Sequence, residues 1–270
     1  MWDELERIFN RAFQYSFSWK KWLFVFPVLA LCGTLAVLCH TLAMGANQWV
    51  GVTLVFLPTF ICAGILLAAG VPLIRLYHDE VKGNPLRHRV TIQHSWKLMR
   101  GLASLSLPLI LAYLVLWGVF GIFHLLRAIP NIGGFLGGLL SFGPFLLIAG
   151  SFCLSLIALL FLFFLTPLVA LKSTVHPKMA EEFFARLKAG PFSHIFFLAI
   201  GLVPLLFMST FLTVSAALTG LTYFAPERTW AVALQWFCIM IPFAALLSPA
   251  VIFFFNFAGE SFVWMQRKVK

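Results

Sequence analysis

The chain has 270 residues, 61% of them hydrophobic and 10% charged, with a formal net charge of +10. A soluble domain carries about 25% charged residues, so this composition excludes one and points to an integral membrane protein. The positive charge lies in short pieces beside apolar runs, which suits lipid headgroups and argues against a nucleic-acid partner. The apolar runs are continuous and lack the ~10-residue alternation of a membrane β-barrel.

Residues 2–21 come first. Trp2, Leu5, Phe9, Ala12 and Phe13 recur at helical spacing, and Glu4, Arg7, Asn10, Arg11 and Gln14 fill the other face. Acids lead and bases follow, as the helix dipole prefers. The pattern predicts an amphipathic helix lying in the membrane interface, against the plainer alternative of a solvated tail. The next apolar stretch is long enough to span, which a cleaved signal peptide is not.

No Asp, Glu, Lys or Arg occurs from Trp22 to Ile74. A crossing needs roughly 20 apolar residues, so this run holds two spans, 23–44 and 50–74, around the turn Asn47-Gln48-Trp49. Cys32, Cys39, Cys62, Cys153 and Cys238 all fall inside apolar spans and make no disulfide framework. Cys32, Cys39 and His40 are soft-metal donors by type. Residues 32 and 39 lie two helical turns apart, ~10 Å by helix rise, too far to share one ion without another helix. No metal and no cofactor are expected.

The loop Arg75–Arg100 carries Arg75, Lys82, Arg87, Arg89, Lys97 and Arg100 between two uncharged stretches, so it is expected on the cytoplasmic side. Gly83-Asn84-Pro85 reads as a stop followed by a helix start, with Asn84 as the cap. Ile92, Trp96, Met99 and Ala103 then line one face of a second interfacial helix, which runs into a third span, 102–125. Arg87, Arg89, Lys97 and Arg100 are the candidate anionic-lipid-binding residues, each base near a charged surface contributing about 1 kcal/mol. Setting orientation alone is the plainer role for them. His78, His88 and His94, beside Asp79 and Glu80, match no zinc spacing.

From Ala128 to Leu171 the chain has 44 residues without a formal charge, too many for one span. Gly133, Gly134, Gly137 and Gly138 mark a glycine-rich outer loop or re-entrant piece over 128–142, and the fourth span follows at 144–171. Residues 172–194 hold a third amphipathic piece with Met179, Phe183 and Leu187 on one face. The fifth and sixth spans are 195–221 and 231–257. This layout puts 17 of the 19 Lys/Arg on one side, leaving Arg127 and Arg228 on the other. The positive-inside rule then gives six spans with both termini cytoplasmic, in a cell membrane of the bacterial inner-membrane kind.

The expected fold is all-α, a single polytopic domain over 1–270, with three hairpins suggested by prolines. Pro27, Pro108 and Pro204 come early in their spans; Pro72, Pro167 and Pro249 come late. The middle unit is longer by about the size of the glycine-rich piece. Mitochondrial carriers also have three hairpins, but they need an acid after the late proline, and Pro72-Leu-Ile-Arg, Pro167-Leu-Val-Ala and Pro249-Ala-Val-Ile have none.

The spans contain no Asp or Glu, which argues against a transporter coupled through intramembrane carboxylates. No hydrolase, zincin or P-loop signature occurs. The expectation is a non-enzymatic membrane protein that organises or supports envelope lipids or partner proteins. The alternative is a transporter or channel for a lipid-like or uncharged solute, which should show a polar cavity at mid-membrane.

The lead-in FSWKKWLFVFP (Phe17–Pro27) and the segment HSWKLMRG (His94–Gly101) entering span three carry a resemblance. The chain resembles uncharacterised six-span bacterial inner-membrane proteins of the YciC-like kind. It is also similar to the membrane domain attached to some glycerophosphodiester phosphodiesterases. That domain is not the catalytic one, so the resemblance implies no catalytic residues.

Overall fold

Among the described residues, six helices are long and apolar enough to cross a membrane, and no strand occurs. The computed structural model describes residues 2–46, 48–83, 88–127, 142–172, 191–222 and 229–269. Helix α1 covers Trp2–Gln14, and a 3-10 turn at Tyr15–Phe17 leads into α2, Trp19–Met44. Helices α3 (Gln48–Val81), α4 (His88–Ala103) and α5 (Ser106–Arg127) follow. The fourth span comprises α6 (Gly143–Leu160), a π-helical turn (Phe161–Leu165) and α7 (Thr166–Lys172). The last two spans are α8 (Pro191–Thr222) and α9 (Thr229–Val269). The glycine-rich piece before Phe142 and the amphipathic piece after Lys172 lie outside the described residues.

The helices outrun the spans read from hydropathy. The second continues past residue 74 to Val81, and the sixth past 257 to Val269. Hydropathy falls at the first charge, but a helix continues while its backbone and side chains find partners, and Tyr77, Gly259 and Phe262 are still packed. Gly83 ends the second helix with φ +71°, the left-handed value a glycine adopts without a Cβ penalty. The third span is interrupted where one continuous run was expected. Helix α4 stops at Ala103, Ser104 turns its hydroxyl to the Gly101 carbonyl (2.8 Å), and α5 restarts at Ser106.

Proline explains two further local features. It lacks an N–H and its ring crowds the carbonyl four residues back. The π turn Phe161–Leu165 lies just before Pro167 and contains that carbonyl, Phe163. Pro249 leaves the Ala245 carbonyl without its helical donor, and the Trp22 indole N–H of α2 donates to it at 3.0 Å.

The core sits where the three returning helices meet. The segments Val71–Tyr77, Leu162–Ala170 and Ala250–Phe262, each beside a late proline, are almost continuously buried. Spans two and six bury 44% of their most apolar stretch, and the other four 17–22%. That split places α3 and α9 at the centre. The outer spans turn Phe152, Leu156, Phe207, Phe211 and Leu218 outward, as contact with lipid tails requires. Lipid tails are as apolar as these side chains, so burial alone drives little helix association; close packing must supply it. Phe163, Phe253, Phe255 and Phe257 are fully buried, and edge-to-face or tilted ring pairs such as Phe163–Phe254 (5.5 Å) connect the helices.

Helix α1 lies along the end of α9. Ile8 and Ala12 are buried there, and the Phe9 ring meets Phe253 at 5.0 Å and Phe257 at 6.3 Å. The Leu5/Phe9 side therefore packs on protein, while Trp2 and Phe13 stay exposed. Trp264 donates its indole N–H to Glu4 at 2.8 Å, which puts the start of the first helix beside the end of the last. Both termini thus share one end of the bundle, together with the loop that bears Lys82; this is the basic end.

Gly70 of α3 packs directly against both other returning helices. A Cβ there would meet the Phe255 ring of α9 and, at 2.6 Å, the Thr166 methyl of α7. Gly70→Val is expected to lower stability by about 1–3 kcal/mol through overpacking, read as earlier thermal unfolding in detergent.

Candidate functional site at the basic end

Lys21 is the residue around which this end assembles. It follows Trp19 and Lys20, which are exposed, yet it is itself only 1% exposed, because helical rotation turns it between α3 and the 3-10 turn. Its ammonium pairs with Glu80 at the end of α3 and donates to the Tyr15 carbonyl at 3.2 Å. The same nitrogen lies 5.1 Å from the Tyr77 ring centroid and 5.7 Å from that of Tyr15. Tyr77 donates its hydroxyl to Glu260 of α9 at 2.8 Å, and Arg11 of α1 reaches the same carboxylate at 3.5 Å. Residues from α1, α2, α3 and α9 thus form one polar assembly.

Arg75 holds a second junction. Its Nε donates to the Ala170 carbonyl at 2.9 Å and its Nη1 to Ser95 Oγ at 3.1 Å. Ala170 sits in the last turn of the fourth span, where carbonyls lack helical donors and a cation is favoured. Arg75 therefore caps that span and fastens α4 to it through Ser95, which is fully buried.

Beside the Arg75 junction lies a cleft of about 580 Å³. Arg75, His78 and Asp79 of α3 form one wall, Thr91 and His94 of α4 another, and Gln266 of α9 a third; Ala170, Leu171 and Val263 make the apolar floor.

The four residues proposed from sequence for anionic lipid are placed unevenly. Arg87 lies outside the described residues. Arg89 is in the first turn of α4, its side chain outside the description. Lys97 and Arg100 are exposed on α4, and the Arg100 guanidinium lies 5.6 Å from the Trp96 ring, itself 53% exposed. The structure therefore brings Trp96, Lys97 and Arg100 together on a side of α4 turned away from the bundle. Lys21, Glu80, Tyr77, Glu260 and the capping role of Arg75 were not found from sequence.

A second cavity, about 600 Å³, lies deeper, between α2, α3, α6 and α9. Its lining is mainly apolar, with His40, Thr59 and Ser155 as the polar exceptions. The fourth and sixth spans meet through Phe161–Lys172 and diverge beyond it, which opens this space. Cys62 of α3 directs its thiol to the Cys32 carbonyl at 3.6 Å, while the His40 ring meets Trp236 at 5.8 Å. Among the described residues no three His, Cys, Asp or Glu converge as a metal site would require.

No family model, curated protein or solved structure matches the chain.

The buried pair gives a direct test. Lys21→Met alone strands the Glu80 carboxylate in a largely dry site and should cost about 3–5 kcal/mol. Lys21→Met combined with Glu80→Leu should recover most of that loss. Melting temperatures of the two single variants and the double, in one detergent, check the cycle.

Proposed function

We propose that this is a non-enzymatic protein of the cytoplasmic membrane that organises lipid, with the basic end on the cytoplasmic side gathering anionic headgroups. The observation that carries the reading is the two-sided use of α4. Ser95 and Leu102 bind it to the bundle, while Trp96, Lys97 and Arg100 face outward. An aromatic ring beside two bases, at the end of an apolar span, is the composition of a headgroup-level surface. Helix α1 adds exposed Trp2 and Phe13 at the same end, followed by Phe17 of the 3-10 turn and Trp19 of α2. The 17-of-19 bias in Lys/Arg supports the orientation.

A second reading has one observation in its favour. The mainly apolar cavity between α2, α3, α6 and α9 has the volume of a small-ligand site and suits a lipid-like solute. Transfer of labelled lipid between the leaflets of protein-bearing vesicles, faster than in empty ones, favours transport over organisation.

Two outcomes test the first reading. Lys97→Gln with Arg100→Gln removes two bases, about 2 kcal/mol of attraction to an anionic surface at most, so retained phosphatidylglycerol should fall in native mass spectra while the melting temperature holds. Unchanged retention in the folded double variant leaves the bases with orientation alone. For sidedness, a chain without native cysteines is probed in intact cells by an impermeant maleimide. Lys82→Cys should stay unlabelled and Glu227→Cys should react.

A further inference from the structure

The cleft beside Arg75 has a charge pattern that a plain anion does not match. Arg75 and Asp79 stand four residues apart on α3, one helical turn, so a cation and a carboxylate share one face. Opposite them α4 presents Thr91 and His94, a hydroxyl and an imidazole, and α9 closes the side with the amide of Gln266. A simple phosphate or a phosphatidylglycerol headgroup held by Arg75 would lie against the Asp79 carboxylate. A simple amine held by Asp79 would lie against the guanidinium. A group carrying one negative and one positive charge a few bonds apart meets both walls.

We infer that the cleft lined by Arg75, Asp79, Thr91, His94 and Gln266 binds a phosphoethanolamine group, its phosphate on the Arg75, Thr91 and His94 side and its ammonium on Asp79. This rests on the reading that the basic end holds lipid, and it adds a headgroup with a defined site to that reading. The apolar floor of Ala170, Leu171 and Val263 suits the glycerol and first methylenes of a lipid, and Arg75 ends the charge-free run Trp22–Ile74, the depth at which headgroups lie. Soluble phosphoethanolamine offers the same two charges, so the source has to be separated by experiment. A primary ammonium donates three hydrogen bonds to carboxylate and amide acceptors. The trimethylated group of phosphatidylcholine donates none, so the site should discriminate between them.

The test uses the full chain in nanodiscs of equimolar phosphatidylethanolamine, phosphatidylcholine and phosphatidylglycerol, with retained lipid counted by native mass spectrometry. The wild type should keep phosphatidylethanolamine over phosphatidylcholine by about tenfold. Asp79→Asn, nearly isosteric, should erase that preference, and Thr91→Val should weaken retention several-fold without changing the headgroup order. Equal retention of the two zwitterionic lipids by the wild type overturns the proposal and needs no variant to fold. A preference that survives in folded Asp79→Asn overturns it as well. Millimolar soluble phosphoethanolamine is added in a second arm. Displacement of the retained lipid assigns the site to the shared chemistry with a soluble source able to compete; retention against the competitor assigns it to the bilayer. Phosphatidylglycerol retention, read in the same spectra, reports on Lys97 and Arg100, so failure at the cleft is distinct from failure of lipid gathering on α4.

Discussion

The pair Lys21–Glu80 is the constraint on which the rest of the basic end depends. An ammonium that is 1% exposed at the head of a membrane span cannot be left without a partner, because removing one member of such a pair exposes the full desolvation cost of the other. The pair fixes the start of α2 against the end of α3. The carbonyl of Tyr15 and the ring of Tyr77 complete the surroundings of the ammonium, which positions the turn after α1 and the outermost turns of α3. Tyr77 then passes the constraint to Glu260, and Glu260 to Arg11. Four helical segments are held by one sequence of short polar contacts, at the level where water ends.

Below that level the solvent is lipid, and the means of cohesion change. The three returning helices gain little from hiding apolar surface, so they approach closely where side chains are small and interlock where they are aromatic. Gly70 lies under Phe255 and Thr166, and Gly201 of α8 lies under Phe163 and Phe257. Polar backbone freed by proline is also given a partner, as at Ala245 and Trp22. Away from the basic end fewer positions of the spans are buried and a mainly apolar cavity opens between α6 and α9, so packing is graded along the bundle.

Sequence alone revealed what depends on local composition. The charge-free runs located the spans, because a run without Asp, Glu, Lys or Arg is visible in any window of sequence. It did not reveal what depends on rotation and long-range partners. Lys20 and Lys21 are alike in sequence, yet one is exposed and the other buried, because a 100° step on the helix separates water from the Glu80 carboxylate. Arg75 read as one base among six; its role as a cap arises from the end of a different span, 95 positions away. On α4 hydropathy grouped Trp96 with Met99, yet Trp96 faces outward beside Arg100 and Met99 packs against the core, while Ser95, the polar residue that fastens the helix, carries no hydropathy signal. The cleft is assembled from α3, α4, α7 and α9, and no window of sequence contains it.

The docking of α1 on α9 has a consequence for biosynthesis. Glu4 and Trp264 are joined by a hydrogen bond across 260 positions, and Phe9 rests on Phe253 and Phe257. At roughly 5–20 residues per second, the ribosome delivers the partner surface tens of seconds after the first helix has emerged. During that interval Ile8 and Phe9 lack the surface that covers them in the finished chain, and the amphipathic pattern of the segment is of the kind that suits a bilayer surface. A nascent chain that stalls before its sixth span would display this helix undocked, a difference by which membrane quality control can separate unfinished copies from finished ones.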